Sequence, residues 1–371
     1  MELGIDIQNG SSQICYFDAD KKQPVSICAV QNQYVFENGL ILSEADKEQF
    51  AAHIGTLISH AQKELFLPKP EKICITVSDF RREVLDSIAD AMEQLGFCKE
   101  DWTVISHEES YAYYAFSQKK ELYSSGVMLL DYEPEGLYSH YMTIIKKNGM
   151  EMIPQESHFF DSQEIAEAGQ GKRALETVEK ALIDCITQAV KDKMISSIYL
   201  TGPGFEVETL PKELTHVICA RRKAFTGQNL FVKGACFCAA KQRRETEPQR
   251  LLACHHRITT GIEMDILERG ETKRFRLVKP GVNWYQAGRS AEFILEDVRK
   301  IPIFLRPCDG SGDYEEWVDI SEIPYRSGKM TRIRLDIDFN SDSNCKLTIT
   351  DLGFGAFVKS SGVVVEKELR L

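Results

Sequence analysis

The sequence lacks any apolar run long enough to span a bilayer, and its N-terminus has no basic stretch followed by an apolar core. From these absences the chain is expected to stay in the compartment where it is made, the cytoplasm, with no membrane as partner. Positive charge is scarce: 45 Lys and Arg face 56 Asp and Glu, for a formal net charge of −11. Nucleic acid and anionic membranes both require concentrated positive charge, so no nucleic acid is expected as the main partner. The small basic clusters Arg221-Arg-Lys223 and Arg243-Arg244 are read as solvated surface. The paired spacing of a zinc site is missing, as is the strand–turn–helix elbow that marks a nucleophile. Cys236 and Cys238, two apart on an expected helix, point to different sides and do not share an ion easily, even with Cys254, His255 and His256 downstream. The cysteines are read as small buried hydrophobes, no metal cluster is expected, and a chain this long needs no disulfide staples.

What is present is alternation of strand and helix patterns. Leu3–Phe17 reads as a hairpin around Gly10. Ile54, Leu57, Ile58, Ala61 and Leu65 fall on one helical face, which Pro68 and Pro70 end. A strand over Lys72–Val77 precedes a helix over Arg82–Leu95 with Val84, Ile88, Ala91 and Leu95 inward, and Gly96 stands where a C-terminal cap belongs. Trp102–Ile105 reads as a strand and Glu108–Ser117 as a short helix. At Gly126 the pattern restarts. A buried strand ends in Asp131, a second strand returns through Tyr138–Ile145, and a long helix turns Leu175, Val178, Leu182, Cys185 and Ala189 inward. Ile198–Leu200 then runs into the turn Gly202-Pro203-Gly204, and the helix Asn229–Lys241 closes the unit. Each half starts with a strand ending in Asp, a weak internal duplication, and the alternation implies an α/β architecture.

After residue 242 the character changes. Residues 243–254 are charged and read as a linker. From 255 to 371 the chain is β-rich, and Thr331–Phe339 alternates strictly before a turn at Asn340–Asn344 and a returning strand over Lys346–Thr350.

In order along the chain, these segments resemble the Hsp70 family. Gly4-Ile-Asp6 resembles its first phosphate hairpin, and Leu130-Asp131 the start of its second. His107-Glu108-Glu109-Ser110-Tyr111 stands where the family has an Asn-Glu-Pro-Thr-Ala motif. Leu200-Thr-Gly-Pro-Gly204 resembles the turn that holds adenosine, and Val232–Ala239 the last helix of that lobe. Thr260–Glu263, Val278–Asn283 and Ile333–Asp351 look like parts of the peptide-binding β-sandwich, and Leu251-Leu252 like the apolar interdomain linker. The resemblance implies an actin-like, two-lobed ATPase-type domain over 1–242, with lobes 1–124 and 125–242. A substrate-binding-type β-sandwich over 255–371 follows, expected to have no helical lid because the chain ends at Leu371.

The resemblance also implies site residues. Asp6 and Asp131 would hold Mg²⁺ through water, and Glu108 would position the attacking water. Gln8, Asn9, Gly10 and Ser11 would line the first phosphate loop, and Gly202, Pro203 and Gly204 would contact the adenosine of ATP or ADP. Met264, Ile266, Phe293 and Leu295 would form pockets for an extended peptide. The loops depart from the family. Gln8 and Asn9 replace glycine and threonine, Tyr132 replaces a small residue, and Pro134 removes a donor. Glu133 and Glu135 add carboxylates, and two like charges ~4 Å apart cost roughly 4 kcal/mol near a surface. The expected function is therefore a chaperone-like or scaffolding pseudo-ATPase that binds protein segments. Its alternatives are an active ATP-hydrolysing chaperone or a structural actin-like interaction protein.

Overall fold

The computed structural model describes residues 1–66, 69–147, 150–161, 174–206, 210–242, 250–296 and 298–371. The chain divides into two compact units, residues 1–145 with 153–249, and residues 146–152 with 250–371.

The first unit is mixed α/β. Strands β1 (Glu2–Gln8) and β2 (Ser11–Asp18) make the opening hairpin, and Gly10, at φ +76°, takes the left-handed turn position that glycine occupies without a Cβ penalty. Strands β3 (Gln23–Ser26) and β4 (Phe36–Glu37) both pair with β2. Helix α1 (Lys47–Leu65) buries Phe50, Ile54, Leu57, Ile58 and Ala61, the anticipated stripe, while Leu65 stays half-buried. Pro68, expected to end this helix, lies outside the described residues. Strands β5 (Lys72–Val77) and β6 (Trp102–Ser106) add in parallel to β1, joined by α2 (Arg82–Gln94), so the sheet order is β3-β2-β1-β5-β6. Gly96 has φ +75° just past α2. Helix α3 (His107–Ala115) follows directly on β6.

The second sheet contains β7 (Val127–Glu133), β8 (Gly136–Met142), β9 (Ile145–Lys147), β10 (Met150–Asp161), β11 (Ser197–Thr201) and β12 (Lys223–Thr226). Its order includes the run β10-β8-β7-β11-β12, antiparallel through β7 and parallel from there on. This repeats the first sheet, where three antiparallel strands are likewise followed by two parallel ones. Met128, Leu130, Ile198 and Leu200 pack against Leu182, Ile186 and Ala189 of α4 (Ala174–Val190) and Leu214 and Ile218 of α5 (Lys212–Cys219). The side chains of Leu175 and Val178, expected inward, lie outside the described residues.

Helix α6 (Leu230–Gln242) packs on the first sheet. Val232 and Cys236 meet Cys15 and Phe17, while Ala235, Cys238 and Ala239 meet Cys74 and Ile105. The expected second lobe thus lends its last helix to the first, because α6 carries small apolar residues that fit this sheet. The approach is close. A Cβ on Gly4 would lie 2.4 Å from the Cys236 nitrogen, and one on Gly234 only 1.9 Å from the Ser110 carbonyl.

Of the expected linker, residues 243–249 lie outside the described residues, and Leu251–Ala253 form strand β13 rather than free linker. The second unit has no α-helix among its described residues. Strands β14 (Thr260–Glu268), β15 (Glu271–Val278), β17 (Lys300–Pro307) and β18 (Tyr314–Asp319) form one antiparallel sheet of order β15-β14-β17-β18, with β16 (Arg289–Leu295) belonging to the other. That other sheet, of order β16-β19-β20-β21, adds β19 (Thr331–Phe339), β20 (Asn344–Asp351) and β21 (Val364–Arg370). In β19 every second residue from Thr331 to Phe339 is buried, as strict alternation requires. Phe275 of β15 and Phe293 of β16 meet edge-to-face at 5.7 Å, joining the two sheets. Of the expected strand over 278–283, Val278 ends β15, and a turn at Gly281 (φ +86°) takes its place. Among the described residues no helix is long and apolar enough to cross a membrane.

Candidate functional site

Asp6 is the fifth residue of seven-residue β1, and Asp131 is the fifth of seven-residue β7. Both are buried, at 1% and 8% exposure. His107 stands by them. The sequence Ser106-x-x-Glu109 is a capping box: the Glu109 carboxylate accepts the Ser106 N–H at 2.9 Å, and Ser106 Oγ accepts the Glu109 N–H at 3.3 Å. This fixes the first turn of α3 and places His107 at its start. His107 Nε2 lies 2.9 Å from Asp6 Oδ1, and its ring stacks on Phe231 of α6 at 3.9 Å. Gln8 donates to Asp6 Oδ2 at 2.8 Å, so both oxygens of Asp6 are engaged.

The electrostatics are those of a crowded acidic cluster with one imidazole. Burial pushes the His107 pKa down, but the charge and hydrogen bond of Asp6, with Asp131 and Glu108, outweigh it and raise the net value. Burial, reinforced by Glu133, pushes the Asp131 carboxyl up to about 8. Burial and then the charge of Glu135 push Glu133 upward too. At neutral pH Asp131 therefore holds a proton toward Glu133. Its Oδ1 is buried without a hydrogen-bond partner among the described residues. Gly202, at φ +88°, makes room for that atom, since a Cβ there would lie 2.6 Å from it.

The first expected phosphate loop is occupied by the chain itself. The Gly10 N–H donates to the Leu40 carbonyl at 2.9 Å, and Asn9 Oδ1 accepts the Leu42 N–H at 2.8 Å. Ser11 pairs with Glu37 of β4, and the Asn38 side-chain amide donates to the carbonyls of Gln8 and Ser11. The second hairpin is tighter than expected. Pairing continues to Glu133 opposite Gly136, leaving Pro134 and Glu135 as a two-residue turn. Strand alternation therefore governs Tyr132 as well. It turns away from Asp131 to the helix-covered face and packs on Phe205 at 5.7 Å, against Gly204. Parity thus keeps the bulky Tyr132, which stands where the family has a small residue, off the face of Asp131. Glu133 does reach the cluster, where its charge is felt together with that of Asp6.

At the glycine turn, Gln228 accepts the Gly202 N–H and donates to the Gly202 carbonyl, both at 3.1 Å. Pro203 begins a short 3₁₀ turn, and Gly204 lies against the Tyr132 ring. Gln13 of β2 donates to the Gln228 carbonyl at 2.8 Å, tying the opening hairpin to the glycine turn. Glu108 is half-buried beside His107 and acts on it by charge. Asp6, Asp131 and Glu108 thus come to one place with His107. His107, Asn38 and Gln228 were not given roles by sequence reasoning. Ser106-x-x-Glu109 was the available signal for His107, whereas Gln228 is separated from Gly202 by 26 positions.

In the second unit, Met264 is buried in β14 opposite Phe275, and Ile266, two residues on, is half-buried. Phe293 packs on Phe275, the residue opposite Met264, and both rings are half-buried. Leu295 stands elsewhere, lining a narrow crevice of about 10 Å³ with Ile320, Ile323 and Tyr325.

Residues 43–255 match the family described as "Family of unknown function (DUF5716) C-terminal", and residues 257–371 match "Domain of unknown function (DUF8552)". No curated protein matches the sequence.

Proposed function

We propose that this chain, which belongs to the DUF5716 C-terminal family, is an Hsp70-like, actin-type two-lobed protein with a self-closed nucleotide cleft. In this reading it acts in the cytoplasm as a chaperone-like or scaffolding module for protein segments, without ATP hydrolysis. The equal strand order of the two sheets and the equal positions of Asp6 and Asp131 support the two-lobed reading.

The observation that carries the loss of ATPase chemistry is the fate of the loop amides. In such a fold, backbone N–H groups of the two hairpins cradle phosphates. Here Gly10 donates to Leu40, Gly202 is bracketed by Gln228, and Asp6 is bound by His107 and Gln8. The residues do not suit Mg-ATP. The carboxylates that would hold the cation are protonated or engaged, and among the described residues no group of three His, Cys, Asp or Glu has metal-binding geometry.

The reading of an active ATPase draws on one observation, the convergence of Asp6, Asp131 and Glu108 on His107. The partner of the proposed module is an extended apolar protein segment, the class that a β-sheet unit recognises through main-chain bonds and side-chain pockets. Trp317, 53% exposed on the outer strand β18, is a candidate contact. A peptide array probed with the full chain, with and without Mg-ATP, tests both halves. Binding to extended apolar peptides that ATP leaves unchanged is expected. Absence of any peptide binding overturns the chaperone-like role, and ATP-driven release overturns the closed cleft.

A further inference from the structure

Arg221, Arg222 and Lys223 lead into β12 at the end of the second sheet opposite the Asp131 cluster. Strands β7, β11 and β12 run parallel, and their far ends lead to Asp131 and the Gly202 turn. At their starting ends, Ser125 precedes β7 by two residues and Ser196 immediately precedes β11. These two serines, the three basic residues and Glu121 line an open concavity of about 510 Å³. A second concavity on the other side of Arg221 adds Lys212 and His216 of α5. In a chain of net charge −11 this is a local concentration of positive charge.

Arg222 differs from an ordinary surface arginine. Its Nη1 is buried and has no hydrogen-bond partner among the described residues. Glu121 lines the same concavity but forms no ion pair with it among the described residues. That one N–H has left water without gaining an acceptor, which is costly, while the side chain as a whole is only half-buried. The Ser196 hydroxyl accepts the Ser125 N–H at 2.9 Å and sits 3.2 Å from the Ser124 hydroxyl, so the serines are already ordered at the rim.

We propose that this concavity is a binding site for a phosphate monoester, with Arg222 as its anchoring fork. Guanidinium donors match the oxygens of a phosphate group in a bidentate way that an ammonium cannot. Two arginines and a lysine complement a dianion better than a single carboxylate. Serine hydroxyls at the rim supply the further neutral donors that a tetrahedral oxyanion accepts. The site is independent of the cleft between Asp6 and Asp131. The phosphate can arrive on a small metabolite or on a phosphorylated side chain of another protein, and the two sources share this chemistry.

The test titrates the full-length chain with inorganic phosphate, with a phosphoserine peptide and with the same peptide unphosphorylated, following calorimetry and thermal stability. Saturable binding of phosphate and of the phosphopeptide, with none of the unphosphorylated peptide, is expected. Arg222→Lys should weaken binding by about tenfold, because it keeps the charge and loses the fork. Arg222→Met should abolish binding and leave the unliganded protein about as stable as wild type, because the half-buried guanidinium has one nitrogen without a partner among the described residues and its loss breaks no ion pair there. Binding of inorganic phosphate with no response to the phosphopeptide supports the site and assigns it to small phosphate esters. No saturable response up to ~10 mM overturns the proposal. Unchanged binding in Arg222→Met, or a marked loss of unliganded stability in that variant, overturns it as well, since either means that Arg222 serves the fold alone.

Discussion

His107 and Asp6 are joined by a 2.9 Å contact between Nε2 and Oδ1, with the imidazole lying flat on Phe231. One imidazole, its pKa raised chiefly by Asp6 against the effect of burial, thereby serves a cluster that also contains Asp131 and Glu133. Replacing His107 by Gln leaves a buried carboxylate uncompensated and should cost about 3 kcal/mol. The folded-state pKa of His107 is raised, so its charge-dependent contribution is complete below its ordinary value and disappears as pH rises through the folded value. Urea unfolding of wild type and His107→Gln should show a larger difference at pH 6 than at pH 9. An equal difference at both contradicts the ion pair.

Asp131 shifts in the same direction, through a different cause. Its carboxyl pKa rises from 3.8 to about 8 on folding, mainly through burial. Between those values the folded chain binds more protons than the unfolded one, so the contribution of Asp131 to stability declines as pH increases. Asp131→Asn removes that decline. The variant should be more stable than wild type at pH 8, with the gain shrinking toward pH 4. Thermal denaturation across that range measures it.

Gly234 sits inside helix α6, where alanine ordinarily gains about 1 kcal/mol over glycine. A Cβ there would lie 1.9 Å from the Ser110 carbonyl of α3, whose hydroxyl also bonds to the Phe231 carbonyl. Gly234→Ala should therefore destabilise the first unit by about 2 kcal/mol, reversing the propensity effect. Thermal unfolding followed by Trp102 fluorescence reads this out, and stabilisation contradicts the close crossing of α3 and α6.

In the second unit, Arg326 donates to both oxygens of buried Asp351 at 2.7 Å. The guanidinium is the main reason that the Asp351 carboxyl is held well below the usual carboxylate range. Arg326→Met leaves a buried carboxylate and should cost about 3 kcal/mol. The contribution is present above the ordinary carboxylate pKa and is lost only as pH falls beneath it toward the depressed folded value. Unfolding monitored through Trp284 and Trp317 should show the loss at pH 7 and its disappearance in strong acid.

Where local rules apply, the sequence reveals the fold well. The strict alternation of Thr331–Phe339 and the helical stripe from Ile54 to Ala61 both appear as read, because period and face are local properties. The two acidic positions were placed on strands for the same reason, but each strand, expected to end in its Asp, runs two residues further. The face that Tyr132 takes was not legible because its strand was ended at Asp131. The strands in fact continue to Glu133, so parity sends Tyr132 to the other face. Closure of the loops by Leu40, Asn38 and Gln228 was not legible. Those contacts join positions roughly 30 residues apart through backbone groups, which carry no signature in residue type. Arg222 looked like solvated surface for a similar reason: a basic residue next to two others gives no sign that one nitrogen will be buried.

The closed cleft is tested most directly by isothermal titration of the purified full-length chain with Mg-ATP. Self-occupied loops and a carboxylate-rich cluster predict no binding tighter than ~1 mM and no change in thermal stability. A dissociation constant near 1 μM, accompanied by about 2.7 kcal/mol of added stability at a hundredfold excess of ligand, would contradict the account.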